Sequence, residues 1–443
     1  MIPYKNPNLL IKEIDNCFYI VINTFLKNGI KLINKNQFNI LNIIDGYNSI
    51  DDIALKTGYN SKDIYSVIQI LSKKNIVCFE NKFIPLNIKE SKGFNNLNLW
   101  VHTTNRCNLK CPYCYISTIQ TTGGMLDSHI EQLSKKIIET ATTQKLKTVY
   151  VRLSGGEPLL QFSRWKNFII KTKTKLNEIG CKFRVAFLTN LTYLDDNIIS
   201  FSKKYNIGFG VSIDGYDNYH DLTRKFYNDK GSFKIVNDNL TKMLKNRIFP
   251  SISIVVSEDN VEGLPILTKY LIDLNLNFRY SIVQGFNIDR ELLSRKLQSS
   301  FDIMKEAINS QGFEISKKFR LCNLKLLHIN EKTCSSGHTG GAININGDIH
   351  FCHTEFGKKN ILGNIYDNDD ILTIINKSKN YLSEYSEDCT KCTYRYVCSG
   401  GCPIYRNEGK DLNCELYQKF IPFFYELIGM ERLYKINNYQ NKV

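Results

Sequence analysis

The distribution of cysteine constrains this chain more than any other feature of its sequence. Fourteen cysteines lie among 443 residues, and eight of them follow residue 321. A disulfide-stapled secreted domain is short and has more than about 8–10% cysteine, so this class is excluded. The first residues contain no apolar signal segment, and no run of about 18 apolar residues could span a membrane. We therefore expect a cytoplasmic protein whose cysteines are thiols or metal ligands.

The net charge does not by itself indicate nucleic-acid binding. Lys and Arg number 58 and Asp and Glu number 43, which gives a formal charge of +15, but no block of five like charges occurs. A nucleic-acid surface requires clustered cations, often with interleaved aromatic side chains. We therefore expect dispersed lysines on solvated faces, and neither a nucleic-acid nor a membrane partner.

Residues 1–90 predict a small unit of three strands followed by three helices. Short apolar runs on both sides of Asp15 and Asn16 indicate a hairpin, and Ser61 is the expected N-cap of the third helix. The predicted strands are Leu10–Ile14, Cys17–Asn23 and Gly29–Asn34, and the predicted helices are Lys35–Ile44, Ser49–Lys56 and Ser61–Ile76. This order is typical of a winged helix-turn-helix domain.

A winged helix can bind DNA or a peptide, and the composition of residues 1–90 favours a peptide. The segment has eleven Lys, eight acidic residues and no Arg, although Arg is the commonest reader of guanine in the major groove. A sheet edge can instead accept an extended peptide as an added strand.

From Leu97 to Gln311 strand and helix patterns alternate, which predicts an α/β fold with a partial (β/α)6 barrel of parallel strands. Gly93–Asn96 is the expected end of the preceding linker. Ligands bind at the C-terminal ends of the strands in such folds. The predicted strands are Leu97–His102, Thr148–Leu153, Phe183–Leu188, Ile207–Ile213, Ser251–Val256 and Phe278–Val283, and the clearest helices are Asp127–Thr140, Arg164–Ile179 and Asp289–Ile308.

Three cysteines follow the first barrel strand with the spacing C-x3-C-x2-C, namely Cys107, Cys111 and Cys114. Three thiolates can hold three corners of a 4Fe–4S cluster and leave the fourth iron open, whereas a structural cluster normally uses four. A zinc site is the alternative. It needs a fourth ligand, which His102 or a distant Cys could supply.

A glycine-rich turn follows the second barrel strand. Its paired glycines allow a small ligand to approach the backbone closely, although such a turn alone is weak evidence for a ligand. Because it comes one βα unit after the three-cysteine motif, the combination is specific. The turn consists of Ser154, Gly155, Gly156, Glu157 and Pro158.

Together these motifs resemble the radical S-adenosylmethionine (SAM) enzymes over about Leu97–Gln311. The resemblance implies that the open iron chelates the amino and carboxylate groups of SAM, that one electron cleaves the S–C5′ bond, and that the 5′-deoxyadenosyl radical abstracts a hydrogen atom. It also implies that the glycine-rich turn binds the amino end of SAM, and that Arg224 pairs with the methionine carboxylate. Asn190 and Ser212 resemble further SAM contacts, or they are strand-end caps. No residue is identified as a substrate base.

We expect a separate C-terminal domain over residues 312–443. From about Cys322 onward the periodicity fades and cysteines crowd, so this region needs a metal to stabilise it. Its spacing resembles the SPASM domain, a cluster-bearing C-terminal extension of radical SAM enzymes, and a zinc ribbon is the alternative. The resemblance implies two auxiliary 4Fe–4S clusters and three clusters in all. The implied ligands are Cys334, Cys352 and Cys402 for the first, and Cys389, Cys392, Cys398 and Cys414 for the second.

The sequence does not decide which residue is the fourth ligand of the first auxiliary cluster. Cys322 is the nearest upstream candidate, with eleven residues between it and Cys334. If Cys322 binds, the cluster is closed. If it does not, an open iron could hold a substrate thiolate. We favour Cys322 as a ligand.

By pattern and position, residues 1–90 resemble the leader-recognition element of ribosomal-peptide maturases, with Gly29–Asn34 as the strand that accepts the leader. This implies an enzyme that binds a precursor peptide and cross-links a core residue, first choice a thioether from Cys to carbon, with a flavodoxin or ferredoxin as external electron donor. The enzyme alternative resembles anaerobic sulfatase maturases, forms formylglycine and does not need residues 1–90. The non-enzyme alternative is an iron–sulfur redox sensor that binds DNA.

Overall fold

The structure, a computed structural model, describes residues 1–79, 94–119, 123–285, 287–357, 360–378 and 386–440. Two predictions fall partly elsewhere: Gly93 of the linker end and residues 80–90 of the N-terminal unit lie outside the described residues. Within the described ranges, no helix is both long and apolar enough to cross a bilayer.

Residues 1–79 form a three-stranded antiparallel sheet, three helices and a short strand pair. The elements are β1 (Tyr4–Lys5), β2 (Leu9–Glu13), β3 (Phe18–Asn23), β4 (Ile30–Asn34), α1 (Lys35–Ile43), α2 (Ile50–Thr57), α3 (Ser61–Lys73) and β5 (Val77–Cys78). Strand β3 lies between β2 and β4, which are the edges of the described sheet. The predicted strands and helices of this region are confirmed to within a few residues.

One predicted cap in this region is wrong by a residue. The N-cap of α3 is Asn60, whose side chain accepts a hydrogen bond from the Asp63 N–H at 2.8 Å. Ser61, the predicted cap, is the first residue of the helix, and its hydroxyl donates to Asp51. Asn and Ser are both good N-caps, so the sequence alone does not decide between neighbours.

The next region contains the predicted parallel strands with helices between them. Its elements are β6 (Asn96–Thr104), α4 (Asp127–Thr143), β7 (Thr148–Gly155), α5 (Phe162–Glu178), β8 (Lys182–Thr189), α6 (Asp196–Tyr205), β9 (Gly208–Ser212), α7 (Asn218–Asp221), α8 (Phe233–Lys245), β10 (Ser251–Val256), α9 (Leu264–Asp273), β11 (Asn277–Ile282) and α10 (Arg290–Gln311). Strands β6 to β11 stand in chain order and pair in parallel. The predicted α/β sheet is confirmed.

Alternate residues of these strands are buried, as for Leu97, Leu99 and Val101 of β6. This alternation places one face of each strand in the core. The intervening residues lie on the other face, where Trp100 of β6 and Arg279 of β11 line a single cavity. Because β6 and β11 stand at opposite ends of the run of six strands, the sheet must curl, as in a partial barrel.

The sheet does not stop at the predicted boundary between residues 311 and 312. Strand β12 pairs in parallel with β11, and β13 pairs in parallel with β6, so the sheet has ten described strands. The weak periodicity of this region does not prevent helix formation, because α15 is a long helix that is nearly as apolar on one side as on the other. The elements here are α11 (Ile315–Lys318), β12 (Phe319–Leu321), β13 (Gly340–Ile343), β14 (Asp348–His350), β15 (Gly363–Asn364), α12 (Ile371–Asn376), α13 (Glu387–Lys391), α14 (Arg395–Cys398), β16 (Arg406–Asn407), β17 (Lys410–Asp411) and α15 (Cys414–Gln440).

Helix α15 packs on the N-terminal sheet. Ile20 and Ile30 belong to the large core of the chain, not to the smaller core beneath α1–α3. Gly429 of α15 lies so close that a Cβ there would stand 2.7 Å from Ile14 and 2.8 Å from Ile20. The Arg432 guanidinium donates a hydrogen bond to the Ile30 carbonyl. The N-terminal sheet is therefore buried on both faces and is attached to the C-terminal helix.

Candidate active site

The three cysteines of the first motif lie in the loop that follows β6. Burial raises the pKa of the Cys107 thiol to about 12, and the nearby Glu157 carboxylate and the thiols of Cys111 and Cys114 act in the same direction. Metal binding requires thiolates, so iron would have to supply the positive charge that stabilises them here. Three mutually close, partly buried thiols fit the ligand set of a cluster with one open iron.

The glycine-rich turn packs directly against this loop. A Cβ on Gly155, whose φ is +131°, would stand 2.2 Å from the Thr104 carbonyl oxygen, and a Cβ on Gly156 would stand 1.9 Å from the Arg106 carbonyl oxygen. The Gly156 N–H donates to the Thr104 carbonyl at 2.7 Å. The glycines therefore let the turn pack closely against the cluster loop, and their contact with SAM stays a prediction.

Glu157 connects this turn to the end of β8. Its buried carboxylate accepts hydrogen bonds from the Leu159 N–H at 2.9 Å, the Thr189 hydroxyl at 2.7 Å and the Asn190 N–H at 2.7 Å. Burial raises the pKa of Glu157 to about 7, whereas the hydrogen bonds from the Leu159 and Asn190 N–H groups act to lower it. Glu157 thus braces two strand ends, and its contact with SAM stays a prediction.

Two further predicted SAM contacts lie at strand ends. The Asn190 side-chain amide donates to Asn108 at 2.9 Å and lies 3.7 Å from the Cys107 sulfur. Its carbonyl oxygen accepts from the Thr192 N–H at 2.9 Å, so it also shapes the local turn. Ser212 is the last residue of β9. The position of Asn190 is compatible with a strand-end cap, and the contacts of Asn190 and Ser212 with SAM stay predictions.

Arg224 forms a buried ion pair beside the three-cysteine loop. Its Nε donates to Asp214 Oδ2 at 2.7 Å, and its Nη1 lies 3.8 Å from the Cys111 sulfur. Burial opposes the charge, but Asp214 and the neighbouring Tyr113 and Cys111 raise the pKa of Arg224 well above its ordinary value. The remaining guanidinium N–H groups could therefore bind an anion.

Asp214 is the site residue that the sequence analysis did not single out. Besides Arg224, its carboxylate accepts from the Val255 N–H at 2.9 Å and from the Thr223 hydroxyl at 3.3 Å, and the Tyr113 hydroxyl also donates to it. The available signal was its place in the strand-end motif that begins at Ser212. Arg224 follows Asp214 by ten positions, but the sequence does not show whether the two side chains meet, because that depends on how the loop after β9 folds.

The zinc alternative at the first motif loses its proposed protein ligand. Both ring nitrogens of His102 are engaged, Nδ1 with Asn105 at 3.1 Å and Nε2 with the Tyr115 hydroxyl at 2.7 Å. Burial lowers the pKa of His102 to about 3, so the ring is neutral.

The cysteines of the C-terminal region fall into the two groups predicted from their spacing. Burial raises the pKa of Cys402 to about 11, and the thiols of Cys352 and Cys334 contribute. Burial likewise raises the pKa of Cys398 to about 11, and the thiols of Cys392, Cys389 and Cys414 contribute. These four cysteines form the second group. Their assignment as cluster ligands stays a prediction.

Cys322 lies with the first group on one cavity of about 360 Å³, which Cys334, Cys352 and Cys402 also line. It follows β12, has a left-handed φ of +47° and donates its N–H to the Tyr280 carbonyl at 2.7 Å. Left-handed backbone in a non-glycine residue is costly and concentrates at functional sites. The position is therefore compatible with a fourth ligand.

Comparison with known proteins shows which family the residues around this site match. Residues 101–265 match the model of the radical SAM superfamily. The cysteine-type anaerobic sulfatase-maturating enzyme of Clostridium perfringens is 23% identical over 72% of this chain and 93% of its own length. The antilisterial bacteriocin subtilosin biosynthesis protein AlbA of Bacillus subtilis is 24% identical over 95% of both chains.

The fold has a solved counterpart of nearly the same length. The crystal structure of Streptococcus suis SuiB bound to precursor peptide SuiA covers 93% of this chain and 98% of its own, with a TM-score of 0.53 and 15% identity. The three-cysteine loop therefore lies at the end of the first strand of the matched radical SAM domain, and its assignment as the site of the iron–sulfur cluster and SAM stays a prediction. This chain is a radical SAM enzyme.

Proposed function

We propose that this enzyme matures a ribosomally made peptide by binding the leader of a precursor at residues 1–90 and cross-linking a core residue in the barrel, first choice a thioether from Cys to carbon. The observation that carries the proposal is the edge strand β4, which is joined to the barrel through α15. When bound at the three-cysteine loop, a 4Fe–4S cluster and SAM supply a carbon radical that removes a hydrogen atom from the substrate.

The outer edge of β4 has the backbone groups that an added strand needs. The Asn23 N–H donates to the Gly29 carbonyl at 2.8 Å, and paired residues alternate in an antiparallel ladder. Ile30 and Leu32 therefore direct their N–H and carbonyl groups away from β3. A peptide strand could pair with them and gain main-chain hydrogen bonds.

The carbonyls on that edge are engaged by side chains in the free enzyme. The Lys74 ammonium donates to the Leu32 carbonyl at 2.9 Å, and the Arg432 guanidinium donates to the Ile30 carbonyl. A leader strand would replace both donors with its own N–H groups. The Lys74 ammonium released from the edge could then bind an acidic side chain of the leader.

Around the first motif, each residue has a proposed task that its contacts support. Arg224 would bind the SAM carboxylate with the N–H groups that Asp214 leaves free, because an Arg fork matches a carboxylate. Asp214 would hold that guanidinium in place. The glycine-rich turn would keep the cluster loop against β7, and Asn190 and Ser212 would contact SAM at the ends of β8 and β9.

We assign the two groups of C-terminal thiols, the first together with Cys322, to two auxiliary 4Fe–4S clusters. Each cross-link removes two hydrogen atoms from the peptide, so a protein with electron-accepting sites near its cavity suits the reaction. The grouping of Cys334, Cys352 and Cys402 on the cavity wall supports this assignment. The proposal includes an external electron donor of the flavodoxin or ferredoxin type.

Formylglycine formation is the second candidate, because sulfatase-maturating enzymes are among the relatives. Two observations favour the first candidate. AlbA aligns with 95% of this chain, which leaves too few residues unaligned to omit residues 1–79, and the precursor-bound SuiB structure covers 93% of it. A DNA-binding regulator is not supported, since the relatives are enzymes.

A pair of proline variants tests leader binding. Leu32→Pro removes an outward N–H from β4 without breaking its ladder to β3, so it should block strand addition. The matched control is Ile11→Pro on the opposite edge strand. Because Ile14 pairs with Phe18 through a 2.9 Å hydrogen bond, the alternation directs the Ile11 N–H outward as well.

The measurement is binding of a candidate leader peptide, together with mass spectrometry of a candidate precursor peptide after anaerobic co-expression with this enzyme. The wild type and Ile11→Pro should bind the leader and remove two hydrogen atoms per link, whereas Leu32→Pro should lose both activities. Thiol alkylation and hydrazide labelling separate a thioether from formylglycine. Full modification by Leu32→Pro would contradict leader binding at β4, and an aldehyde product would favour the second candidate.

A further inference from the structure

The parallel strands of the barrel contain several cations and no acid. None of the strands from β6 to β12 contains Asp or Glu, yet four arginines lie on them outside the buried positions. Arginine is costly to enclose without an anion, because its charge loses hydration. The four residues are Arg152 of β7, Arg184 of β8, Arg279 of β11 and Arg320 of β12.

Two of these arginines meet on one cavity. Arg152 and Arg279 both line the 360 Å³ space that also contains the first group of C-terminal thiols, although three strands separate β7 from β11 in the sheet. Arg279 is exposed to this space and Arg152 is partly exposed to it. Two guanidinium groups therefore face one water-accessible chamber inside the protein.

Neither arginine has an acidic partner among the described residues. No ion pair is formed by Arg152 or Arg279 in that part of the chain. The carboxylate that lines the cavity belongs to Asp411, and it is committed to the N–H groups of Cys402 and Asn413, both at 2.8 Å. The cavity thus has an excess of positive charge.

The proposed first auxiliary cluster would offset this excess, because four thiolates around a 4Fe–4S core carry a net negative charge, but it offers no carboxylate to pair with the guanidinium forks. Burial lowers the pKa of Arg279, and the nearby Arg152 and Arg320 act in the same direction. Arg152 instead lies over the ring of Tyr150, with its Cζ 4.1 Å from the ring centroid. A guanidinium has five N–H donors, so its contact with Tyr150 leaves others available to a planar anion.

We propose that Arg152 and Arg279 bind a carboxylate of the substrate peptide inside the barrel and so position the core residue that reacts. The proposal rests on the proposed peptide-maturase function. The ligand is an acidic side chain close to the modified residue, or the C-terminal carboxylate of the peptide. Arg152 lies two residues before Ser154, at the strand end of the SAM site, so a carboxylate held there places the neighbouring peptide residue near that site.

The experiment measures binding without turnover. The cluster-loaded enzyme is saturated with SAM, so that the Arg224 site is filled, and is titrated by calorimetry with three probes. N-acetylglutamate α-amide has only a side-chain carboxylate, N-acetylglutamine has only an α-carboxylate, and N-acetylglutaminamide has neither. One of the two acids should bind about tenfold or more tightly than the neutral probe, as expected for an Arg–carboxylate pair. The stronger acid identifies the source of the carboxylate.

Variants assign the binding to these two residues. Arg152→Gln and Arg279→Gln should each weaken acid binding about tenfold, and Arg152→Lys should retain part of it. The matched control is Arg164→Gln on α5, whose guanidinium pairs with Asp127 at 2.7 Å on the surface, and it should bind like the wild type. Equal affinity for all three probes, or equal losses in the control, would overturn the proposal.

A second readout covers variants that fail to assemble. In the wild type, the preferred acid should slow phenylglyoxal modification of Arg152 and Arg279, located by peptide mapping, while the neutral probe should not. If the two Gln variants lose iron and the wild type shows no protection, the arginines serve the cluster and the proposal is wrong. Acid binding with an unmodified co-expressed precursor would instead contradict the maturase function alone.

Discussion

The guanidinium of Arg432, near the end of α15, donates a hydrogen bond to the carbonyl of Ile30 on the edge strand β4, 402 positions earlier in the chain. The same helix begins at Cys414, a predicted ligand of the second auxiliary cluster. One continuous helix therefore connects the strand proposed to bind the leader with the cysteine-rich region. Binding at the edge and the position of this helix should be coupled.

Removing the Arg432 side chain should make leader binding tighter. A leader strand has to displace this donor, and a hydrogen bond from a charged group contributes about 1.5–3 kcal/mol. Arg432→Ala should therefore lower the Kd of the leader severalfold in a fluorescence anisotropy titration. The control is Lys435→Ala on the same helix, which pairs with Glu314 and Glu431 instead of the strand. Weaker binding by Arg432→Ala would mean that Arg432 contacts the leader itself.

Replacing one cysteine of the first motif should remove one cluster and leave the others. Cys111→Ala should lower the iron content by about four atoms per chain, because a single cluster holds four, and should abolish SAM cleavage. The matched control is Cys17→Ala, since Cys17 is exposed and far from the motif in the chain. Iron analysis and detection of 5′-deoxyadenosine measure the two effects. Unchanged iron in Cys111→Ala would remove this residue from the ligand set.

Neutralising Asp214 should destabilise the protein and weaken SAM binding. Asp214→Asn leaves the buried Arg224 charge without its partner, and breaking a buried pair typically costs about 3–5 kcal/mol. Asp229→Asn is the control, because Asp229 pairs with Lys110 at an exposed site and its replacement should leave the stability nearly unchanged. Thermal unfolding and equilibrium dialysis with SAM measure both variants. A stable Asp214→Asn variant with normal SAM affinity would contradict the positioning role.

Local signals in the sequence predicted most of the fold. The strand Ser251–Val256 has the predicted bounds, because a strand with one buried face alternates and ends at polar residues. The three strands of the N-terminal sheet are also found close to their predicted ranges, since the hairpin residues and helix starts are local. The C-x3-C-x2-C spacing identified a loop that lies within the residues matched to the radical SAM superfamily.

Contacts that depend on closure of the sheet could not be predicted. Arg152 and Arg279 are 127 positions apart and meet only because the sheet curls. The distance between Asp214 and Arg224 depends on how the loop after β9 folds back. The hydrogen bond from Arg432 to Ile30 could not be predicted either. It depends on helix α15, which the sequence pattern of the cysteine-rich region did not indicate. Sequence patterns report which face of an element is buried, but they do not report which distant element covers it.

The position of Cys322 supports its predicted role as a cluster ligand. It lines the same cavity as Cys334 and Cys402, and its left-handed φ of +47° turns the chain sharply after β12. Burial raises the pKa of its thiol, so the uncomplexed residue is protonated at neutral pH. Binding to iron would release that proton and provide the charge compensation that the protein interior lacks.

Cys322→Ala should therefore change the EPR spectrum of the reduced auxiliary clusters while leaving the SAM-cleaving cluster intact. Loss of a thiolate alters both the charge and the coordination of the cluster, and either change shifts its spectrum. Cys181→Ala is the matched control, because Cys181 is buried at the start of β8 and away from the predicted ligand groups. Spectra are compared after chemical reduction, with iron content and 5′-deoxyadenosine formation measured on the same samples. If Cys322→Ala gives the wild-type spectrum, the first auxiliary cluster has an open iron, and the cavity can accept a substrate thiolate there.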